Sequence, residues 1–272
     1  MQPKKSLGQN FLRDEKVLEK IIRSADLQLN DNVLEIGSGE GALTKELMKN
    51  IGKIICIEKD DALAKNLQTQ YKDNEKVEII NDDILEINLS ELIEKNNFQK
   101  YKIVANIPYY ITSPIIRLFL ETAYPPTEMF LMVQREVAER MSATAGQMSI
   151  LSVSVQYYAQ AEILFEVDRK CFWPVPEVDS AVIHIKPLTQ PQPSHPYKGG
   201  SDPKTKDFFC LVKAGFSAKR KTLVNNLAAS LQLDKKTTEE KLQKIGFAPT
   251  VRAQELSVAD WKKLADLLHS KS

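Results

Sequence analysis

Short apolar runs alternate with helix-length amphipathic segments through the first two-thirds of the chain. Runs at 33–36, 54–58, 77–80, 102–106 and 129–133 predict strands, and further ones follow near 163–167 and 181–185. Segments 42–50 and 61–71, between the early runs, carry helical spacing. Such alternation predicts an α/β domain with a mostly parallel sheet. One stretch, "MSILSVSVQYY" at 148–158, alternates like a strand and equally fits a buried helix. The pattern breaks at 187–203, where "PLTQPQPSHPYKGGSDP" is crowded with Pro, Gly and Ser and reads as a linker. Beyond it only helical periodicity remains, at 208–216, 219–231, 238–245 and 258–269, the last opened by a Ser257 cap. The predicted organisation is a sheet domain over 1–187, a linker over 188–203 and a small all-helical domain over 204–272.

Composition changes this picture in one respect. A net charge of +1 hides a division: residues 204–272 hold 14 Lys/Arg against 7 Asp/Glu, leaving 23 against 29 in the rest. An acidic body with a basic helical tail points to a polyanionic partner, although a solvated helical surface explains the same counts. No apolar run reaches the length of a membrane span, and the N-terminus has no apolar signal core, so a cytoplasmic protein is expected. Cys56, Cys171 and Cys210 are odd in number and far apart, which fits neither a disulfide framework nor a cysteine metal site. His184, His195 and His269 are equally scattered, and no metal is expected. With no extra apolar helix face evident, a monomer is expected.

Chemistry concentrates where strands end. "VLEIGSGEGALT" at 33–44 is strand, glycine turn and helix. Gly37 and Gly39 permit positive φ and close backbone approach, and Gly41 lets the helix start near the sheet. The spacing is G-x-G-x-G rather than the G-x-G-x-x-G of a dinucleotide site, and Glu35 and Glu40 would sit badly beside a pyrophosphate. Glu58 closes the next strand, where an acid can accept two hydrogen bonds from a ribose diol; a surface acid after a strand is the plainer alternative. Asp83 closes the third in "EIINDDI", placed to accept from an adenine amine or else to cap a helix. Together these acceptors suggest S-adenosylmethionine.

The fourth strand end is "VANIPYYIT", 104–112. An aromatic amine is a poor nucleophile because its lone pair is delocalised into the ring. The Asn106 carboxamide and the Ile107 carbonyl, fixed by Pro108, supply two acceptors that would localise that pair. Tyr109 adds a face on which an extruded base can stack. In "FWPVPEVDS", Pro174 and Pro176 confine the backbone, so Phe172 is read as a second stacking platform, unless Phe172 or Trp173 plugs the sheet.

"LGQNFL" (7–12), "EIGSGEG" (35–41), "NIPYYI" (106–111), "FWPVPEVDSAV" (172–182) and "FSAKRKTL" (216–223) resemble, in that order, the ribosomal RNA adenine dimethyltransferase family, most closely its bacterial small-subunit type. The resemblance implies a Rossmann-like, S-adenosylmethionine-dependent methyltransferase domain with a helical C-terminal domain. The implied reaction converts two adjacent adenosines near the 3′ end of 16S ribosomal RNA in the small subunit to N6,N6-dimethyladenosines, with a role in subunit maturation. It implies cofactor contacts at Asn10, Leu12, Gly37, Gly39, Glu58, Asp83 and Asn106. The amine is expected at Asn106 and Pro108, with the base between Tyr109 and Phe172. Lys219, Arg220 and Lys221 then read as a phosphate-contacting edge, with a solvated helix start as the alternative. Two departures from the family pattern are the shortened approach "GQMSILSV" at 146–153 and a second tyrosine, Tyr110, where asparagine is frequent. The competing readings are a large-subunit adenine methyltransferase of the macrolide-resistance type, a non-catalytic ribosome-assembly protein and a nicotinamide dehydrogenase. The glycine spacing opposes the last.

Overall fold

The computed structural model describes residues 2–4, 7–188 and 203–269. It divides into two units, Met1–Glu139 with Ala159–Tyr197, and Arg140–Tyr158 with Lys198–Ser272. The first contains nine strands among the described residues: β1 (Phe11–Leu12), β2 (Asn32–Ile36), β3 (Lys53–Glu58), β4 (Val77–Asn81), β5 (Lys102–Asn106), β6 (Glu128–Gln134), β7 (Ala159–Val167), β8 (Phe172–Trp173) and β9 (Ser180–Pro187). Seven form one sheet in the order β4-β3-β2-β5-β6-β9-β7, and β1 pairs with β8 in a separate two-stranded sheet. The five strands β4 to β6 in that order run parallel, while β9 is antiparallel to both β6 and β7. Parallel strands covered on both faces need continuous apolar runs, which is what the strands contribute: Val33, Leu34 and Ile36, then Ile54 to Ile57, then Ile103 to Ala105, are all buried.

Helices α1 (Glu15–Ala25), α2 (Ala42–Leu47), α3 (Asp61–Gln70), α4 (Leu89–Lys95) and α5 (Thr112–Leu120) complete this unit. The first is an addition to the predicted elements. The Asp14 carboxylate caps it by accepting from the N–H groups of Lys16 and Val17, and its Leu18, Ile21 and Ala25 are buried in the core beside β2 and β5 residues Val33 and Val104. Helix α6 (Arg135–Met141) runs across the division between the units.

The helical unit contains α7 (Ile150–Tyr158), α8 (Pro203–Gly215), α9 (Leu223–Leu231), α10 (Lys235–Lys244) and α11 (Val258–His269) around the fully buried Trp261. Two boundaries differ from expectation. The stretch 148–158, open between strand and helix in the sequence, is helical over Ile150–Tyr158 and groups with this unit rather than with the sheet domain. Met148 and Val153 are buried against the C-terminal helices, and the N–H groups of Gly146 and Met148 both donate to the Gln254 carbonyl. Helix α9 starts at Leu223 rather than 219, because the Thr222 hydroxyl accepts the Asn225 N–H and caps it there. The predicted Ser257 cap is present in reciprocal form: Ser257 Oγ accepts the Asp260 N–H, and the Asp260 carboxylate accepts the Ser257 N–H. Residues 189–202 of the predicted linker lie outside the described residues.

Candidate active site

Strands β2, β3, β4 and β5 end on one side of the sheet, and a single pocket gathers what lies at and just past those ends. Gly37, Gly39, Glu58, Asp83, Asn106, Pro108 and Tyr109 all line it, joined by Asn10 and Leu12 from the N-terminal segment. The crevice beyond the carboxyl ends of parallel strands is where open α/β sheets bind ligands.

The glycine turn leaves β2 with φ of +69° at Gly37, +58° at Gly39 and +82° at Gly41, a region that disfavours any side chain. Gly41 is the N-cap of α2, and a Cβ there would lie 2.7 Å from Leu67 Cδ2. The close approach it allows is therefore to α3, not to the sheet. At Gly39 a Cβ would press on the Phe11 ring at 3.1 Å.

Glu58 is 6% exposed, and both its oxygens already accept backbone hydrogen bonds: Oε2 from Gly39 N–H and Oε1 from Asp60 N–H, each at 2.8 Å. Burial pushes its carboxyl above the ordinary value, and those two N–H groups oppose the shift. A second lone pair remains on each oxygen, enough to receive a diol. Asp83 is more engaged than the sequence indicated. Its Oδ2 accepts from Lys59 Nζ at 2.6 Å and its Oδ1 from Leu85 N–H at 3.0 Å, and the lysine holds the carboxyl below its usual range.

Asn106 closes β5, and its Nδ2 donates to the Asn10 carbonyl at 3.1 Å. A carbonyl only accepts, so this bond assigns the amide nitrogen to the N-terminal segment and leaves Oδ1 as the acceptor. The chain then turns at Pro108, whose φ is −55°, and the Tyr109 hydroxyl lies 2.8 Å from Ser180 Oγ, which anchors the ring at its far end. Burial raises the Tyr109 phenol, so it stays neutral at physiological pH.

The N-terminal segment is held over this pocket by Asp60, a residue outside every motif noted above. Asp60 Oδ2 pairs with Lys4 Nζ and accepts from Gln9 Nε2, both at 2.9 Å, while Oδ1 caps α3 at Ala62 N–H. Burial alone would raise the Asp60 carboxyl, but these donors outweigh it and hold it low. The available signal was the cap itself, an aspartate directly before an amphipathic run.

Phe172 requires a correction. It is 3% exposed and lies in the core with Leu12, Leu18 and Ile21, behind the pocket lining that these three contribute to and offering no open face to the pocket. Successive residues of a strand face opposite ways, so burying Phe172 turns Trp173 outward, and Trp173 is 46% exposed. The open aromatic face in this motif belongs to Trp173.

Lys219, Arg220 and Lys221 are brought together at an exposed turn between α8 and α9 in the helical unit. The buried Asn226 pins that turn by donating to the carbonyls of Gly215 and Ala218. Among the described residues, no carboxylate pairs with the three cations. Segment 146–153, where the sequence departs from the family pattern, belongs to the same unit and is tied at its start to the Gln254 carbonyl by the N–H groups of Gly146 and Met148.

An adenosyl ligand suits the pocket on its donor and acceptor set. Its acids sit at strand ends with accepting capacity left, apolar Ile57, Leu63, Ile84 and Ile107 flank them, and the one cation that lines it among the described residues, Lys59, is committed to Asp83. Fold and site together define a Rossmann-like, nucleoside-binding methyltransferase. The chain matches the family model for ribosomal RNA adenine dimethylase over residues 1–270, and it belongs to that family. Ribosomal RNA small subunit methyltransferase A of Dehalococcoides mccartyi is 41% identical over 264 residues, covering 97% of this chain and 88% of the relative. Among solved structures, a dimethyladenosine transferase from Plasmodium falciparum aligns with a TM-score of 0.74 at 26% identity, covering 93% of this chain and 95% of that one. The 23S rRNA methyltransferase ErmE aligns at 0.73 and 26% identity, over 95% and 99%.

Proposed function

We propose that this protein dimethylates the N6 amines of two adjacent adenosines in small-subunit ribosomal RNA, using S-adenosylmethionine. The observation that carries the reading is the orientation of Asn106: its nitrogen is tied to Asn10, so its oxygen is the group available to a substrate amine. Glu58 would hold the ribose diol, Asp83 the adenine amine, and the backbone at Gly37 and Gly39 would let the ligand approach closely. When bound, S-adenosylmethionine supplies an electrophilic methyl on a sulfonium sulfur. Asn106 Oδ1 and the Ile107 carbonyl would each accept one amine hydrogen, drawing the lone pair out of the ring as nitrogen becomes tetrahedral. Tyr109 gives the extruded base a surface to stack on. The methylated amine is cationic and acidic enough to lose its proton to water, so no strong general base is needed. Among the described residues, neither His nor Cys lines the pocket.

Small-subunit specificity is supported by the name of the Dehalococcoides relative and by the long "FWPVPEVDSAV" and "FSAKRKTL" motifs. The direct experiment is incubation with labelled S-adenosylmethionine and either unmethylated small subunits or large subunits, followed by mapping of modified nucleotides. Label on adjacent small-subunit adenosines is expected; label confined to large subunits would refute the assignment.

The turn at 219–221 serves this reading as a phosphate-binding edge. Reversing two charges, Lys219→Glu with Arg220→Glu, is expected to weaken small-subunit binding and to leave S-adenosylmethionine affinity unchanged. The slope of log K against log salt should flatten by roughly 0.7 to 0.9 for each phosphate that the turn no longer neutralises. An unchanged slope would show that the turn stays in solvent.

A further inference from the structure

The aromatic surface beside the pocket has no part in the reaction described above. Three of the large exposed apolar side chains among the described residues fall within six positions: Trp173 at 46%, Val175 at 58% and Val178 at 44%. Such clustering on one proline-rich loop marks a binding surface rather than scattered exposure. The Trp173 ring stacks on Phe11, with centroids 6.5 Å apart and planes 24° apart, and Phe11 itself lines the pocket. The Arg13 guanidinium stands 5.7 Å from the Trp173 centroid while an arm of the same group pairs with Glu40 at 2.5 Å. Trp173 is therefore one ring out from the pocket wall, half open to solvent and flanked by a held cation. Exposed Lys170 precedes it by three positions in the same loop, and no carboxylate pairs with Lys170 among the described residues.

An aromatic face with cations beside it suits a base and its phosphate, and its continuity with the pocket indicates which base. We infer that Trp173 is a stacking platform for an unpaired nucleotide next to the extruded adenosine, with Phe11 backing the ring and Arg13 fixing its tilt. This rests on the RNA methyltransferase reading and adds a subsite to it. A base pulled from its stack leaves its neighbour with one face uncovered, and covering that face offsets part of the cost of extrusion. Trp173 is a positioning residue in this scheme, since it touches neither the pocket nor the reacting amine.

Two tryptophans are present, and Trp261 is fully buried, so emission that responds to a stacked base reports on Trp173. The experiment titrates a short single-stranded oligoadenylate RNA into the full chain and into Trp173→Phe and Trp173→Ala. Binding of S-adenosylmethionine is measured on all three, and methylation of small subunits by the wild-type chain is followed in parallel. RNA should quench the wild-type emission. Trp173→Phe should lose the quench yet bind RNA within about threefold of wild type, and Trp173→Ala should bind about tenfold more weakly. All three should bind S-adenosylmethionine alike. Quenching that persists in Trp173→Phe, or undiminished RNA affinity in Trp173→Ala, overturns the platform. A parallel fall in S-adenosylmethionine affinity overturns it too, reducing Trp173 to a prop for Phe11. If Trp173→Ala keeps its oligoadenylate affinity but loses affinity for small subunits, the surface takes a protein and the platform fails. Failure of the wild-type chain to methylate either subunit would instead sink the reading on which the platform rests.

Discussion

Asn106→Ala is expected to lower methyl transfer at saturating S-adenosylmethionine by a hundredfold or more, while the protein stays folded. Removing one preorganised group that acts on charge developing in a transition state costs on the order of 10² to 10³ in turnover. The structural loss is smaller. The Asn106 side chain donates one hydrogen bond, to the Asn10 carbonyl, and a net loss of about 1 kcal/mol follows from such a bond. Asn106→Asp sharpens the test: it keeps an acceptor but loses the donor to Asn10 and brings a negative charge against that carbonyl. It should therefore also loosen the N-terminal segment, which Asp60 holds independently through Lys4 and Gln9. Turnover by Asn106→Ala near the wild-type rate, measured on small subunits, would remove the amide from the mechanism.

The second large effect concerns stability and pH. Glu35 lies beneath the glycine turn, 1% exposed, accepting from Thr44 Oγ1 at 2.5 Å and from Cys56 Sγ at 3.4 Å. Burial pushes its carboxyl from 4.5 up to about 7, against the pull of the Thr44, Cys56 and Ser38 side chains. A carboxyl with a raised folded-state value keeps its proton where the unfolded chain has lost it. The folded state then binds more protons between these limits, so stability falls as pH rises from about 4.5 to about 7 and levels off above. The full swing from this one group is about 3 kcal/mol. Glu35→Gln keeps an acceptor for Thr44 and has no proton to lose. The difference in unfolding free energy between wild type and Glu35→Gln, measured by denaturant titration across that window, should therefore favour wild type progressively less as pH rises. A difference that stays flat would show that Glu35 is ionised in the fold.

Much of this protein was legible before its fold was known. Each strand of the large sheet was located to within a few residues: the central strands β2, β3, β5 and β6 are covered on both faces and so nearly apolar along their length, and the edge strands β4 and β7 keep apolar runs among partly exposed positions. The glycine turn was legible because three positive-φ positions at that spacing serve one purpose. Glu58, Asp83 and Asn106 stood out as polar groups closing apolar runs, and the fold carries all three into one pocket. Stretch 148–158 was ambiguous for a physical reason: apolar and polar residues alternate from Leu151 to Val155, and a helix packed in a helical core tolerates that pattern as well as a strand does.

Local pattern thus determined the sheet, the turn and the acceptors, since each depends on neighbours within about ten residues along the chain. The fold alone decided which of Phe172 and Trp173 faces outward, because that follows from pairing with Leu12 and Phe11, some 160 residues earlier. It also decided that Asp60 ties down Lys4 and Gln9, and that Asn106 presents its oxygen because Asn10 takes its nitrogen. A two-residue strand has no periodicity to read, and a hydrogen bond between distant segments leaves no mark on either one. Those choices were made by packing.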